Sequence, residues 1–179
     1  KKYWLIILPY LALALTYSRS SLLSLFVAAI FVGLKTKNKL IPILTGLLIF
    51  ITILILPRQP GEGTKLERDS SIKAKIENYK EGFKTFSSSP IIGHGYNNLL
   101  YIRQINNPKS HSNSGFDGSL MTILVTTGLI GFCLFVSGFI QLYRKSSIFH
   151  QTMLVAIFVH SLFANSLLYP WTLIFLVLI

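Results

Sequence analysis

The amino-acid sequence predicts an all-α integral membrane protein: a multispanning helical bundle with a large outer-face loop that contains an interfacial amphipathic helix. Three observations lead there. The 179 residues are 51% hydrophobic and only 13% charged, with mean hydropathy +0.57. The apolar residues come in long runs that a soluble domain rarely tolerates. The charges are also segregated. All six acidic residues (Glu62, Glu67, Asp69, Glu77, Glu81 and Asp117) fall between Arg58 and Gly118, with nine Lys and Arg beside them for a net +3. The other eight basic residues flank apolar runs, as the positive-inside rule produces. Finally, the polar segment carries an apolar stripe at helical spacing. A charge of +11 gathered on one soluble face would suggest nucleic acid. Spread beside apolar runs, it excludes nucleic-acid binding as the leading function.

Six spans follow in order. Residues 3–17 and 20–34 are each slightly short of the ~20 residues that cross a bilayer core, and form a helical pair that breaks around Ser18 to Ser20. Residues 40–56, "LIPILTGLLIFITILIL", are a third span, 119–143 a fourth and 152–169 a fifth. Trp171 to Ile179 begins a sixth. Backbone groups in lipid must bond internally, so these runs are helices. The chain starts without methionine and stops inside an apolar run, which predicts a fragment of a longer multispanning protein. Its one cysteine, Cys133, excludes an intrachain disulfide and a CxxC motif.

The basic loops "KTKNK" (Lys35 to Lys39) and "YRKSS" (Tyr143 to Ser147), with Lys1 and Lys2, belong in the cytoplasm. The "SRS" turn around Arg19 and the loop 58–118 then share the outer face, as alternate counting of spans also requires. Within that loop Ile72, Ile76, Tyr79, Phe83 and Phe86 recur at helical spacing. Asp69 or Ser70 can cap the start of this helix, and "SSSP" ends it. Lys73, Lys80 and Lys84 lie off the stripe and Lys75 at its edge. This is a helix lying along the membrane surface. Next comes "IIGHGYNN", whose Gly93 and Gly95 permit a tight turn.

Four pieces thus stand in sequence: "LTYSRSSL", the helix leading into "SPIIGHGYNN", the polar "SHSNSGFDG", and "SLMTILVTTGLIGF". Their order resembles the C-terminal half of the O-antigen ligase and polysaccharide polymerase family of membrane glycosyltransferases. The family's Thr/Ser-x-Ser-Arg element is matched by Thr16, Ser18 and Arg19. Its Pro-x-x-Gly-x-Gly turn is matched by Pro90, Gly93 and Gly95. Its Gly-Leu-x-Gly span is matched by Gly128, Leu129 and Gly131. Two departures stand out. Lys75 occupies the position of an arginine four residues before an aromatic, here Tyr79, and lysine lacks the bidentate fork that suits phosphate. The His/Asp-Asn pair splits: spacing from Gly128 selects Asp117, residue type selects His111 with Asn113, and both stay open.

The resemblance implies a glycosyltransferase C-like fold in the bacterial cytoplasmic membrane, with its active site facing outward. It also implies a polyprenyl-pyrophosphate-linked glycan donor, a lipid-core or glycan acceptor, and an inverting transfer without metal or other cofactor. Arg19 and Lys75 would hold the pyrophosphate as the glycosidic bond breaks. Asp117 or His111 would be the base for the acceptor hydroxyl. Ser18, Gly93, Gly95 and Asn113 would position substrate. Simpler roles are open to several of these residues. Arg19 can snorkel or cap carbonyls, His111 can be a solvated loop residue, and Asp117 can be a helix N-cap. His160 and Asn165 suit interhelical hydrogen bonds, and Gly128, Gly131 and Gly138 suit close helix packing. No His, Asp or Glu cluster has metal-ligand spacing. A small-anion or solute transporter of the same superfamily is the alternative, and it should carry its polar groups at mid-membrane.

Overall fold

The computed structural model describes residues 4–56, 69–103 and 115–177, and every regular element among them is a helix. The elements are α1 (Trp4–Leu15), α2 (Arg19–Lys35), α3 (Leu40–Ile55), α4 (Asp69–Ser88), α5 (Leu99–Ile102), α6 (Ser119–Lys145), α7 (Ile148–Ser161) and α8 (Pro170–Val177). Short 3-10 turns at Tyr96–Asn98 and Ser166–Leu168 precede α5 and α8. Among the described residues, α6 alone is long and apolar enough to cross a membrane, while α3 and α7 are shorter apolar helices.

The serines set the helix starts. Ser18 caps α2, its Oγ accepting from the Ser21 N–H at 3.3 Å, and Ser147 caps α7 through the His150 N–H. Basic Lys35, Arg144 and Lys145 close the last turns of α2 and α6, where cations complement the helix dipole. The two basic ends lie together. Phe31 packs edge-on against Tyr143 at 6.2 Å, and the Gln151 amide donates to the carbonyls of Tyr143 and Ser146, both at 3.1 Å. At the opposite end α2 meets α7 through Ser20 and Ser21, whose hydroxyls lie 3.3 and 3.2 Å from His160 Nε2. This end also carries α4 and the chain around it, and we call it the loop end.

The core sits at the loop end. Leu99, Phe116, Met121 and Val125 form a buried cluster with Tyr79 and Phe86 of α4 packed on it. By contrast, no residue of α3 is buried.

Helix α6 is broken at Gly128, where φ is 65° and ψ is −169°, a conformation open essentially to glycine. The break would orphan backbone groups on both sides. The turn after α4 supplies them. The His94 and Gly95 N–H groups donate to the carbonyls of Val125 (3.0 Å) and Thr126 (2.8 Å). The Leu129 and Ile130 N–H groups donate to the carbonyls of Pro90 (2.8 Å) and Ile91 (3.2 Å). A Cβ at Gly93 would overlap Gly128 and Thr126 backbone, and one at Gly128 would overlap Ile91. Gly93 and Gly128 are therefore two halves of one backbone-to-backbone joint, a closer approach than helix packing requires.

Helix α7 ends at Ser161, well short of the expected 169. Beyond it the carbonyls leave helical register and accept from elsewhere: Leu162 from the Tyr79 hydroxyl, Phe163 from Lys75 Nζ at 2.6 Å, and Ala164 from Ser119 Oγ at 3.1 Å. Asn165 Nδ2 meanwhile donates to the Phe116 carbonyl at 2.6 Å.

Candidate functional site

Between the start of α2 and the face of α4 lies a cleft of about 720 Å³. Arg19, Lys75, Lys80 and Tyr79 bring polar groups to it, and Leu23, Ile76, Phe83 and Phe163 line it with apolar surface. The stripe expected along α4 is thus divided. Ile72, Ile76 and Phe83 face the cleft, Phe86 faces the core, and Tyr79 touches both.

The turn that presents Arg19 is built locally. Thr16 Oγ1 donates back to the Leu13 carbonyl at 2.7 Å and accepts from the Ser18 N–H at 3.3 Å. Tyr17 takes φ of 52°, a left-handed conformation uncommon for a non-glycine residue, and its N–H bonds the Ala14 carbonyl. The chain reverses within these residues and α2 begins at Arg19. Ser18 is occupied as the cap, also accepting from the Ser21 hydroxyl at 2.8 Å. His160 braces the same turn, with Ser20 and Ser21 on Nε2 and Ser166 Oγ 3.0 Å from Nδ1.

Lys75 reaches across the cleft from α4. Its ammonium donates to the Phe163 carbonyl and lies 5.9 Å from the centre of the Phe163 ring. An ammonium has three donors, so this bond does not exhaust it. Burial first, and the Asp117 carboxylate second, raise the pKa of the Tyr79 phenol above its ordinary value. The Tyr79 phenol donates to the Leu162 carbonyl. Asp117 itself is exposed, and its N–H donates to Asn78 Oδ1 at 2.9 Å. The N-cap of α6 is Gly118, so Asp117 stands one residue outside that helix and its side chain does not cap it. A Cβ at Gly118 would press on the Tyr79 hydroxyl.

The structure therefore brings Arg19 and Lys75 to one cleft, whose wall includes Tyr79, and leaves Asp117 near Tyr79 but outside the residues that line the cleft. Gly93 and Gly95 lie instead at the α6 break. His111 and Asn113 fall outside the described residues. A second groove, apolar and about 480 Å³, runs between α2 and α3 along Leu22, Phe26, Gly46, Ile49 and Ile53. It shares Arg19 and Leu23 with the cleft.

Sequence reasoning missed Arg103. This residue is 6% exposed and grips Glu81 with both arms, Nε to Oε1 at 2.9 Å and Nη2 to Oε2 at 2.7 Å. Its Nη1 donates to the Gly115 carbonyl, and its guanidinium stacks 4.5 Å from the Phe116 ring centre. It ties the Gly115 carbonyl, two residues before Asp117, and the end of α5 to Glu81 of α4. A single arginine in a polar loop carries no signal of that role. Among the described residues no group of three His, Cys, Asp or Glu could hold a metal ion.

Compared with known families, residues 4–136 match the model described as Wzy_C, O-antigen ligase. No curated protein and no solved structure matches the chain.

Proposed function

The chain belongs to the O-antigen ligase family, a glycosyltransferase-like family, and from that premise we propose the reaction and the residues that perform it. The protein moves a glycan from a polyprenyl-pyrophosphate carrier to an acceptor sugar at the outer face of the bacterial cytoplasmic membrane. Helices α1, α2, α3, α7 and α8 and the part of α6 after Gly128 lie in the bilayer, with Lys35 to Lys39 and Tyr143 to Ser147 on the cytoplasmic side. The loop end then faces outward.

One observation carries this reading: Arg19 lies at the junction of a cationic cleft and an apolar groove. A lipid pyrophosphate has that shape, an anionic head on a hydrocarbon tail. The acceptor hydroxyl oxygen attacks the anomeric carbon, and the bond from that carbon to the pyrophosphate oxygen breaks with inversion. The electron pair leaves on the pyrophosphate, where Arg19 can bind two oxygens at once and Lys75 adds a point charge. The hydroxyl proton passes to a carboxylate or imidazole, Asp117 by its spacing to Gly128 or His111 by its type. No metal is needed when fixed cations take up the developing charge.

A transporter would instead carry polar groups at mid-span. His160 and Asn165 are engaged at the loop end with Ser20, Ser21, Ser166, Phe116 and Thr122, which favours surface chemistry.

The test is transfer from a polyprenyl-pyrophosphate glycan by the full-length protein in liposomes, with chelator present. Arg19→Ala and Arg19→Lys should both fail, because lysine cannot reproduce the fork. Asp117→Asn should lose about 10²–10⁴-fold, the usual worth of a general base, and more than His111→Ala. A dead His111→Ala beside an active Asp117→Asn would make the histidine the base. Full activity in all four variants would sink the site assignment.

A further inference from the structure

The turn that fills the α6 break has a second side. Its backbone bonds Val125 to Ile130, while the side chains of Ile91 and Ile92 stand out, 63% and 74% exposed. Two adjacent isoleucines at the tip of a short turn, held rigid by four backbone hydrogen bonds, are an unusual thing to offer water. The surrounding stretch is free of charged side chains, although it contains Ser87 to Ser89, His94, Asn97 and Asn98. From Thr85 to Ile102 the sequence contains no Asp, Glu, Lys or Arg, although Lys84 and Arg103 bound it closely. Leu100 and Tyr101 in that stretch are exposed as well.

Where the tip lies along α6 identifies what covers it. Before Gly128 the helix is largely buried in protein, and after it Leu129 and Ile130 begin a band of exposed apolar side chains. Leu134 and Ile140 extend that band toward Arg144 and Lys145 in the last turn. From Leu129 to Lys145 a helix rises roughly 25 Å at 1.5 Å per residue. This nearly fills a hydrocarbon core of about 30 Å. With the basic pair at one lipid boundary, Leu129 and Ile130 sit at the other. The carbonyls of Pro90 and Ile91 are bonded to the Leu129 and Ile130 N–H groups at that level, which sets the exposed Ile91 and Ile92 side chains beside the same exposed apolar surface.

We propose that the Pro90–Ile92 turn is a membrane wedge: Ile91 and Ile92 insert among the acyl chains of the outer leaflet, and so hold the loop end, with its cleft, at the bilayer surface. The occupant is lipid, because the patch is continuous with the α6 band and has no charge to attract a polar partner. This inference rests on the transmembrane reading given above, and the experiment separates the two.

Single cysteines at Ile92, Leu134 and Lys73, in a Cys133→Ser background of the full-length protein, are labelled with an environment-sensitive fluorophore in liposomes. Quenchers attached to lipid near the glycerol end, lipid quenchers near the chain terminus, and aqueous iodide are then compared. Leu134 is exposed at mid-band and should lose most of its emission to the deep quencher. Lys73, exposed on α4, should respond to iodide. Ile92 should lose most of its emission to the shallow lipid quencher and resist iodide. Quenching of Ile92 by iodide alone, with Leu134 still lipid-quenched, overturns the wedge and leaves the transmembrane reading standing. Shielding of Ile92 from all three quenchers means that protein covers it, which also overturns the wedge. Escape of Leu134 from both lipid quenchers removes the transmembrane reading and the wedge together.

Discussion

The two halves of α6 obey opposite rules. Before Gly128, Val125 is fully buried, and Ser119, Thr122 and Thr126 are buried with it. Each hydroxyl has a partner: Ser119 with Ala164, Thr122 with Phe116, and Thr126 with the Thr122 carbonyl at 2.7 Å. After Gly128, Leu129 and Ile130 are exposed and Leu134 is 69% exposed. The upper half is protein interior, with polar groups that had to be satisfied before they could be buried. The lower half presents apolar surface outward, as α3 does. One continuous apolar run in the sequence thus serves two environments, and the boundary between them is a glycine filled by another segment.

The sharpest way to break this comparison is to place one methyl group on each half. Gly128→Ala must leave a conformation that only glycine adopts and also meets the Ile91 carbonyl. Backbone strain of about 1–3 kcal/mol is the minimum cost, before the four bonds of the docked turn are lost. The melting temperature in detergent should collapse, and proteases should gain access at Ser88 to Gly95. Gly138→Ala, ten residues on, meets nothing within 4 Å and should gain up to about 0.5–1 kcal/mol from helix propensity. Equal effects at the two glycines would erase the distinction between the halves.

A somewhat smaller effect is expected at Arg103. Breaking a fully buried ion pair costs about 3–5 kcal/mol, and the Glu81 side chain is 37% exposed, so the expected cost of Arg103→Ala is nearer 2. Arg103→Lys should recover little, because one ammonium cannot serve both Glu81 oxygens and Gly115. Denaturant melts of both variants, with proteolysis mapped between Ile102 and Gly115, measure this. An unchanged cleavage pattern in Arg103→Ala would mean that the guanidinium does not hold the two ends of that stretch.

The mildest pair compares one apolar truncation in each half. Val125→Ala opens space in the buried cluster and should cost about 2 kcal/mol. Leu134→Ala removes an exposed side chain and should stay within about 0.5 kcal/mol in the same detergent. A comparable loss at Leu134 would place it in an interface with another segment of the protein.

Much of this architecture was legible in the residues. The apolar run 40–56 predicts a helix and α3 runs Leu40–Ile55; the stripe from Ile72 to Phe86 lies on α4, Asp69–Ser88. Those features are local, because hydrophobic periodicity and caps act within three or four residues of one another. The order of four short elements was also enough to indicate the family. Gly128 and Gly131 match the Gly-Leu-x-Gly of the family and suit close packing, but a packing glycine and a broken-helix glycine look alike in sequence. That Gly128 breaks α6 depends on Pro90 to Gly95 arriving to satisfy the orphaned backbone. That α7 stops at Ser161 depends on Tyr79, Lys75 and Ser119 arriving to take its carbonyls. Arg103 became a clamp only when Glu81, Gly115 and Phe116 surrounded it. By itself the sequence determined where most helices form and which faces carry charge, because propensity and patterning are properties of neighbouring residues. Only the tertiary structure decided that α6 breaks at Gly128, that α7 stops at Ser161 and which cations share a cleft. In those places the backbone and ionic groups take partners distant in the chain, and no local pattern records them.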